Sequence, residues 1–120
     1  MPNSDAQLMD YGSLANRLSY IMGQTIEPSL LSSFENPTVS ADKLMGATCQ
    51  TRFSPPSIAP GLIGYSGYLN GNTGFCVYFE LADKGKSIYL ADFSQSPHTN
   101  NELVRMALTS FIELVDRSKQ

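Results

Sequence analysis

The chain begins with a segment in which apolar residues recur every three or four positions, the spacing that places side chains on one face of a helix. Ser4 and Gln7 have the spacing of a capping box, and Gly23 supplies a backbone on which helices readily end. We therefore predict a helix over residues 5–22, with Asp10 mostly in water. Its apolar stripe consists of Leu8, Tyr11, Leu14, Ala15, Leu18, Ile21 and Met22.

The last part of the chain repeats this arrangement. Thr99 and Glu102 have the spacing of a second capping box, and an apolar stripe of helical period follows them. We predict a helix over residues 100–117. Its stripe consists of Leu103, Val104, Ala107, Leu108, Phe111, Leu114 and Val115.

Between the two helical segments the pattern changes to alternation, which is typical of strands. The predicted strands cover residues 43–53, 61–69, 74–81 and 87–93. Short polar turns join the last three, so we expect an antiparallel meander within a four-stranded, mainly antiparallel sheet. The order of helix, four strands and helix predicts an α+β fold. A length of 120 residues suits a single domain over 1–120, frayed at about residues 1–4 and 118–120.

The hairpin made by the third and fourth predicted strands carries large apolar side chains on both faces. If its five-residue turn places Leu81 opposite Ser87, and a three-residue turn over 71–73 joins the second and third strands, one face holds alternate residues from Phe75 to Leu81 together with Tyr65, Tyr89 and Phe93. The other face then holds Leu62, Tyr68, Tyr78, Ile88 and Leu90.

Such a second face needs a cover, because each large apolar side chain removed from water contributes about 1.5–3 kcal/mol. Two covers are possible. The two helices lie on opposite faces and close a three-layer domain, or both helices lie on one face and another protein chain covers the other. The second possibility makes Leu62, Tyr68, Tyr78, Ile88 and Leu90 the candidate protein interface.

Composition narrows the classes of partner. The 42 % apolar content fits a folded chain, and no apolar run approaches the roughly 18 residues of a membrane span. Eight scattered basic residues against 11 acidic ones give a net charge of −3, so we expect neither nucleic acid nor membrane as a partner. The first 25 residues lack the apolar core of a secretory signal, which predicts a cytoplasmic location.

Candidate chemistry is sparse. Cys76, Asp92 and the single histidine, His98, gather at one end of the sheet in the preferred register, where a thiolate, a base and an orienting acid would support nucleophilic chemistry. Glu80, Asp83 and Asp92 offer a pair of carboxylates across the hairpin. For each group the simpler interpretation is solvated turn and strand-end residues.

The two cysteines, Cys49 and Cys76, lie 27 positions apart, too sparse for a disulfide scaffold or a zinc site. We expect both to be reduced; the alternative, for an exported chain, is a disulfide between adjacent strands. The glycine-rich stretch 61–67 matches no phosphate-binding fingerprint. No metal or cofactor is expected.

These observations favour a small acidic non-catalytic protein-interaction module, of adaptor, secretion-chaperone or immunity-protein type. In size, acidity and mixed helix-and-strand layout the chain resembles small effector chaperones of bacterial secretion systems, a likeness that implies no site residue. The expected partner is another protein chain, most simply a second copy. The alternative is a small-ligand-binding or weakly enzymatic domain with a pocket near Cys76, Asp92 and His98.

Overall fold

The computed structural model describes residues 8–36, 39–40, 61–69, 74–81, 85–92 and 99–118. Its helices are α1 (Tyr11–Met22), α2 (Pro28–Ser32), the 3-10 turn Ser33–Glu35 and α3 (Asn100–Ser118). Its strands are β1 (Val39–Ser40), β2 (Leu62–Leu69), β3 (Gly74–Leu81) and β4 (Lys86–Asp92). The fold is α+β, with helices and an antiparallel three-stranded sheet formed by β2, β3 and β4. The two-residue β1 pairs in parallel with β2.

Local sequence signals explain how α3 begins. The Thr99 backbone N–H donates to the Glu102 carboxylate, and the Glu102 backbone N–H donates to the Thr99 hydroxyl, each at 3.1 Å. This reciprocal arrangement satisfies two amides that the first turn of a helix leaves unpaired. The capping box predicted from the sequence is thereby confirmed.

The first helix begins later than predicted. Asp10 is its N-cap, since its carboxylate accepts a hydrogen bond from the Ser13 backbone N–H at 2.7 Å. Residues 8–10 are not helical, so the start near residue 5 was wrong, and the predicted box at Ser4 and Gln7 lies outside the described residues. The helix ends as predicted at Gly23, whose φ of 73° is in the left-handed region.

The strands β2, β3 and β4 are close to the predicted ranges, but the predicted register was wrong by one residue on both sides of β3. Leu81 lies opposite Lys86 rather than Ser87, and Leu69 lies opposite Gly74. The β3–β4 connection is therefore one residue shorter than expected and ends at Gly85, whose φ of 65° suits glycine. Because side chains alternate along a strand, this shift exchanges the faces of β2 and β4 relative to β3. The predicted strand over 43–53 lies outside the described residues.

The helices share one apolar core with one face of the sheet, which we call the helix-covered face. Its β3 residues are Phe75, Val77, Phe79 and Leu81. The Phe79 ring lies between Phe34, at a centroid distance of 5.1 Å, and Phe111, at 6.1 Å. Leu14 and Leu18 bring α1 into the same core. The described helices thus pack on one face of the sheet, which is the helix arrangement of the second expected layout.

A close approach between the sheet and the 3-10 turn fixes this packing. The buried Ser66 hydroxyl donates to the Phe34 carbonyl at 2.6 Å. Beside it, a Cβ on Gly64 would lie 2.8 Å from two ring carbons of Phe79 and 3.0 Å from the Phe34 ring. Glycine is required at this position because a side chain would collide with the core.

Candidate functional site

The opposite side of the sheet carries a row of three tyrosines, one from each antiparallel strand. Tyr65 pairs with Tyr78, and Tyr78 pairs with Tyr89 in the next strand. Directly opposite residues in an antiparallel pair point to the same face, so the three side chains are neighbours. We call this side the tyrosine face; the other described residues whose register places them on it include Ile63, Cys76, Glu80 and Ala91.

The contacts that position the rings in this row include a stacked pair and a hydrogen bond between described residues. The Tyr65 and Tyr78 rings stack with centroids 4.8 Å apart and planes 10° from parallel. The Tyr78 hydroxyl donates to the Glu80 carboxylate at 3.0 Å. Tyr78 is therefore held by contacts at both its ring and its hydroxyl.

Exposure rises along the row toward the end of the sheet. Tyr65 is 1 % exposed and Tyr78 is half-buried, whereas Tyr89 is 41 % exposed. In the sheet order β4 stands last, next to β3. The row thus passes from the interior to solvent within three strands, and its outer end presents an aromatic ring with a polar tip.

The five residues predicted as an interface do not lie together. Leu62 is buried in the helix-covered core, and Tyr68, Ile88 and Leu90 are half-buried against that core. Only Tyr78 is on the tyrosine face. The physical reason is the one-residue register shift, which moved the residues of β2 and β4 to the other face while Tyr78 stayed in place.

The sequence reasoning consequently assigned Tyr65 and Tyr89 to the wrong side of the sheet. A signal for the correct register was present in the turn, because Gly85 directly precedes Lys86 and glycine readily adopts the left-handed backbone that ends a four-residue connection. In both candidate registers large apolar side chains fall on both faces of the hairpin, so the alternation of apolar residues did not distinguish the registers.

The same register separates the described members of the candidate nucleophile and carboxylate groups. Cys76 is a buried thiol opposite Ala91, whereas Asp92 is opposite Phe75. Glu80 and Asp92 lie at opposite ends of the hairpin, about 17 Å apart along the strands, well beyond the roughly 5–9.5 Å between paired glycosidase carboxylates. Cys49, Asp83 and His98 lie outside the described residues.

A polar network joins the start of α3 to the 3-10 turn. The Asn101 side chain donates to the Glu35 carboxylate at 2.8 Å and accepts from the Arg105 Nε at 2.8 Å. The Asn100 amide donates to the Tyr68 hydroxyl at 3.2 Å. These bonds connect chain segments far apart in sequence. They give the half-buried polar side chains partners within the chain, so a structural role is enough to explain them.

Tyr11 lies beside this network with its hydroxyl oxygen buried. Within the described part of the chain that oxygen has no hydrogen-bond partner of normal geometry. Burial, followed by the nearby Glu35 carboxylate, raises the pKa of Tyr11 well above its usual value. The phenol therefore remains neutral at physiological pH.

The described residues offer little support for other kinds of site. Over the described ranges, no three or more His, Cys, Asp or Glu side chains come together as a metal site would require. Among the described helices, none has the length and apolar character needed to cross a membrane. No protein-family model, curated protein or solved structure matches the chain. The tyrosine face is therefore the feature from which a function can be argued.

Proposed function

We propose that the protein is a small non-catalytic protein-interaction module acting in the cytoplasm, and that its tyrosine face contacts another protein chain. Such a module would serve as an adaptor or as a chaperone-like or immunity-like partner. The observation that carries the proposal is the row of Tyr65, Tyr78 and Tyr89, buried at one end and open at the other.

The chemistry of the row suits a protein partner. Tyrosine is enriched at protein interfaces and among their energetically dominant residues, because a flat ring supplies contact area while the hydroxyl keeps a hydrogen-bonding group. Tyr78 is already held by the Tyr65 ring and by Glu80, so a partner that packs on it would lose little side-chain entropy. Tyr89, at 41 % exposure, supplies the accessible edge of the same surface.

The overall charge supports the same class of partner. Only 16 % of the residues are charged, against about 25 % in ordinary globular domains, so little like-charge repulsion opposes association with another protein. The net charge of −3 opposes binding to phosphate-rich partners, although stacked tyrosines on a sheet are also used to bind RNA bases.

Of the five interface residues expected from the sequence, the proposed contact surface retains Tyr78, and it adds Tyr89. Leu62, Ile88 and Leu90 contribute instead to the packing of the sheet on its own helices. The contact surface is thus more polar than the one expected, because tyrosine hydroxyls replace aliphatic side chains.

The test compares two exposed tyrosines on different parts of the molecule. Tagged wild-type, Tyr89→Asp and Tyr20→Asp chains are expressed in the native host and captured under native conditions, and co-purifying proteins are quantified by mass spectrometry. Tyr20 lies on α1 and is 82 % exposed, so its replacement is a matched control for adding a surface charge.

We expect a specific set of proteins to be retained by the wild-type and Tyr20→Asp chains and lost from the Tyr89→Asp chain. Circular dichroism of the three purified proteins checks that they are equally folded. Identical capture by all three chains, or loss with Tyr20→Asp alone, would contradict the role of the tyrosine face.

A further inference from the structure

The last strand of the sheet has a sequence that reads alike in both directions. In chain order β4 consists of Lys86, Ser87, Ile88, Tyr89, Leu90, Ala91 and Asp92. From either end a charged residue is followed by a small one and then by an aliphatic one, with Tyr89 at the centre. The two end charges have opposite signs.

This symmetry has a direct consequence for two antiparallel copies of the strand. If Tyr89 lies opposite the partner's Tyr89, then Lys86 lies opposite the partner's Asp92, and Ile88 lies opposite the partner's Leu90. Opposite charges and apolar pairs directly across an antiparallel ladder are both stabilising. The Lys86–Asp92 and Ile88–Leu90 pairs each occur twice, because the two-fold axis through the Tyr89 pair repeats them.

We propose that two copies of this chain pair through β4 in antiparallel orientation, centred on Tyr89. The inference deepens the proposed function, because it names a second copy as a partner. It rests on that function in one respect, which is the use of the two joined tyrosine faces as one contact surface. Strand addition at a sheet edge is a common mode of recognition, in which the backbone supplies affinity and the side chains supply specificity.

Other registers lose the complementarity. A shift of two residues places Lys86 opposite the partner's Leu90, or Ile88 opposite the partner's Asp92, so that a charge faces an aliphatic side chain. A shift of one residue pairs Ile88 with the partner's Tyr89 and puts the two helix layers on opposite sides of the joined sheet. The register centred on Tyr89 pairs all seven residues of β4.

The position and burial of β4 fit an interface of this kind. Within the described part of the sheet, β4 is the final strand in the order β1-β2-β3-β4. Its Ser87 and Tyr89 are exposed, and Ile88 and Leu90 are only half-buried although they pack on the helix-covered core. By contrast, most of β3 is buried. Pairing with a second copy would remove the remaining apolar surface of Ile88 and Leu90 from water.

The joined sheet has a defined shape. Because opposite residues of antiparallel strands share a face, both helix layers lie on one side and both tyrosine faces lie on the other. The row of Tyr65, Tyr78 and Tyr89 would continue into the partner's three tyrosines. The contact is closed, since each copy uses its single β4 and leaves no further β4 edge for growth.

Cysteine cross-linking tests this register in the full chain. With Tyr89→Cys, each new thiol would face its own counterpart at a Cα separation of about 4.5–5.5 Å, which is within disulfide range. Ser87→Cys is the matched control, because Ser87 and its counterpart would be offset by four residues, about 13 Å along the strands. Wild-type chain, with its Cys49 and Cys76, controls for linking through native thiols.

In a glutathione redox buffer, we expect Tyr89→Cys to form a covalent dimer of twice the 13.1 kDa chain mass, seen on a non-reducing gel. Ser87→Cys alone should remain unlinked, whereas a mixture of Ser87→Cys and Ala91→Cys chains should link; both chains of the mixture also carry Cys76→Ala, because Cys76 lies opposite Ala91 in the same chain. Equal linking by Ser87→Cys and Tyr89→Cys, or no linking by Tyr89→Cys and by the mixture, would overturn the proposed pairing.

Charge exchange provides a second test that leaves the tyrosines intact. Lys86→Asp or Asp92→Lys places like charges opposite each other at two points of the dimer, and we expect either to weaken dimerisation by about tenfold or more. The double variant restores opposite charges and should return the dissociation constant to within about threefold of wild type. Sedimentation equilibrium measures these constants, and a double variant as weak as the single ones would contradict the pairing.

The two proposals fail in different ways. If the protein is a monomer at all concentrations but the Tyr89→Asp variant loses the captured host proteins, the dimer is overturned and the tyrosine face is supported as an interface. A chain that dimerises with the expected charge dependence, while capture is the same for wild type and Tyr89→Asp, supports the dimer and overturns the wider function.

Discussion

The two faces of the sheet differ in how their aromatic residues are satisfied. On the helix-covered face, Phe79 contacts Phe34 and Phe111, two aromatic rings supplied by the chain's own helical segments. On the tyrosine face, the rings of Tyr65 and Tyr78 stack on each other within the sheet, and exposure rises outward to Tyr89. The described helices close the first face, whereas on the second the described tyrosine with the greatest exposure is Tyr89, in the last strand of the sheet.

The two faces differ because tyrosine has a hydroxyl group and phenylalanine does not. A phenylalanine side chain stabilises the fold only when its ring is removed from water, so the Phe79 ring must be fully buried by other side chains. Tyrosine gains from burying its ring and from keeping its hydroxyl bonded, as Tyr78 does with Glu80. A tyrosine row is therefore stable when partly wet and can still be covered by a partner.

The largest predicted effect separates the faces by stability. Phe79→Ala removes a fully buried ring between Phe34 and Phe111, so we expect the free energy of unfolding to fall by about 3–5 kcal/mol. Tyr89→Ala on the other face should cost less than about 1 kcal/mol at concentrations where the protein is a single chain. Urea unfolding followed by circular dichroism measures both losses. Equal losses would show that Phe79 and Tyr89 contribute equally to stability, contrary to the prediction.

A smaller effect is expected where the sheet meets the 3-10 turn. Gly64→Ala introduces a Cβ that must displace the Phe79 ring or the Phe34 ring, and we expect a loss of about 1–3 kcal/mol. Gly12→Ala is the control, because this exposed position in α1 has room for a Cβ and should gain about 0.5–1 kcal/mol. If both variants are stabilised in urea unfolding, the core does not approach Gly64 as closely as described.

The hydrogen bond on the tyrosine face predicts a still smaller effect. Tyr78→Phe removes the hydroxyl that donates to Glu80, and the free energy of unfolding should fall by about 0.5–1.5 kcal/mol. A double-mutant cycle with Glu80→Ala isolates the pair, because Tyr78→Phe should then cost almost nothing further. Additive losses would show that the two side chains do not interact.

The smallest effect concerns the N-cap of α1, which is outside the sheet and serves as a reference for the effects on its two faces. Accepting the Ser13 backbone N–H lowers the pKa of Asp10, so its charged form is favoured in the folded state. A lowered folded-state pKa contributes stability above the unfolded-state pKa and loses it as pH falls through the folded-state value.

The advantage of wild type over Asp10→Asn should accordingly be present at pH 5 and disappear toward pH 2. Thermal unfolding midpoints over this range follow the difference. A difference that is constant with pH would show that the charge on Asp10 contributes nothing to the cap.

Much of the fold could be predicted because local signals act over a few residues. The capping box at Thr99 and Glu102 placed α3, and alternation placed β3 at residues 74–81. The start of α1 was missed because Leu8 continues the apolar period although Asp10 supplies the cap. Periodicity reports which residues share a face, whereas the cap decides where the helix begins.

The site could not be predicted with the same success because it depends on register. A slip of one residue exchanges the faces of a strand, and in β4 both sets of side chains are largely apolar. Hydrophobic patterning therefore favoured neither register of β4 against β3. The choice depended on whether the connection between these strands has four or five residues. That length depends on the backbone of a short turn, which composition describes poorly.

The most direct test of the account is a set of nuclear Overhauser contacts from the Tyr78 ring in isotopically labelled protein. We predict contacts from the Tyr78 ring to the side chains of both Tyr65 and Tyr89, together with contacts from the Phe79 ring to Phe34 and Phe111. Contacts from the Tyr78 ring to the methyl groups of Ile88 or Leu90 would show the other register and contradict the tyrosine row.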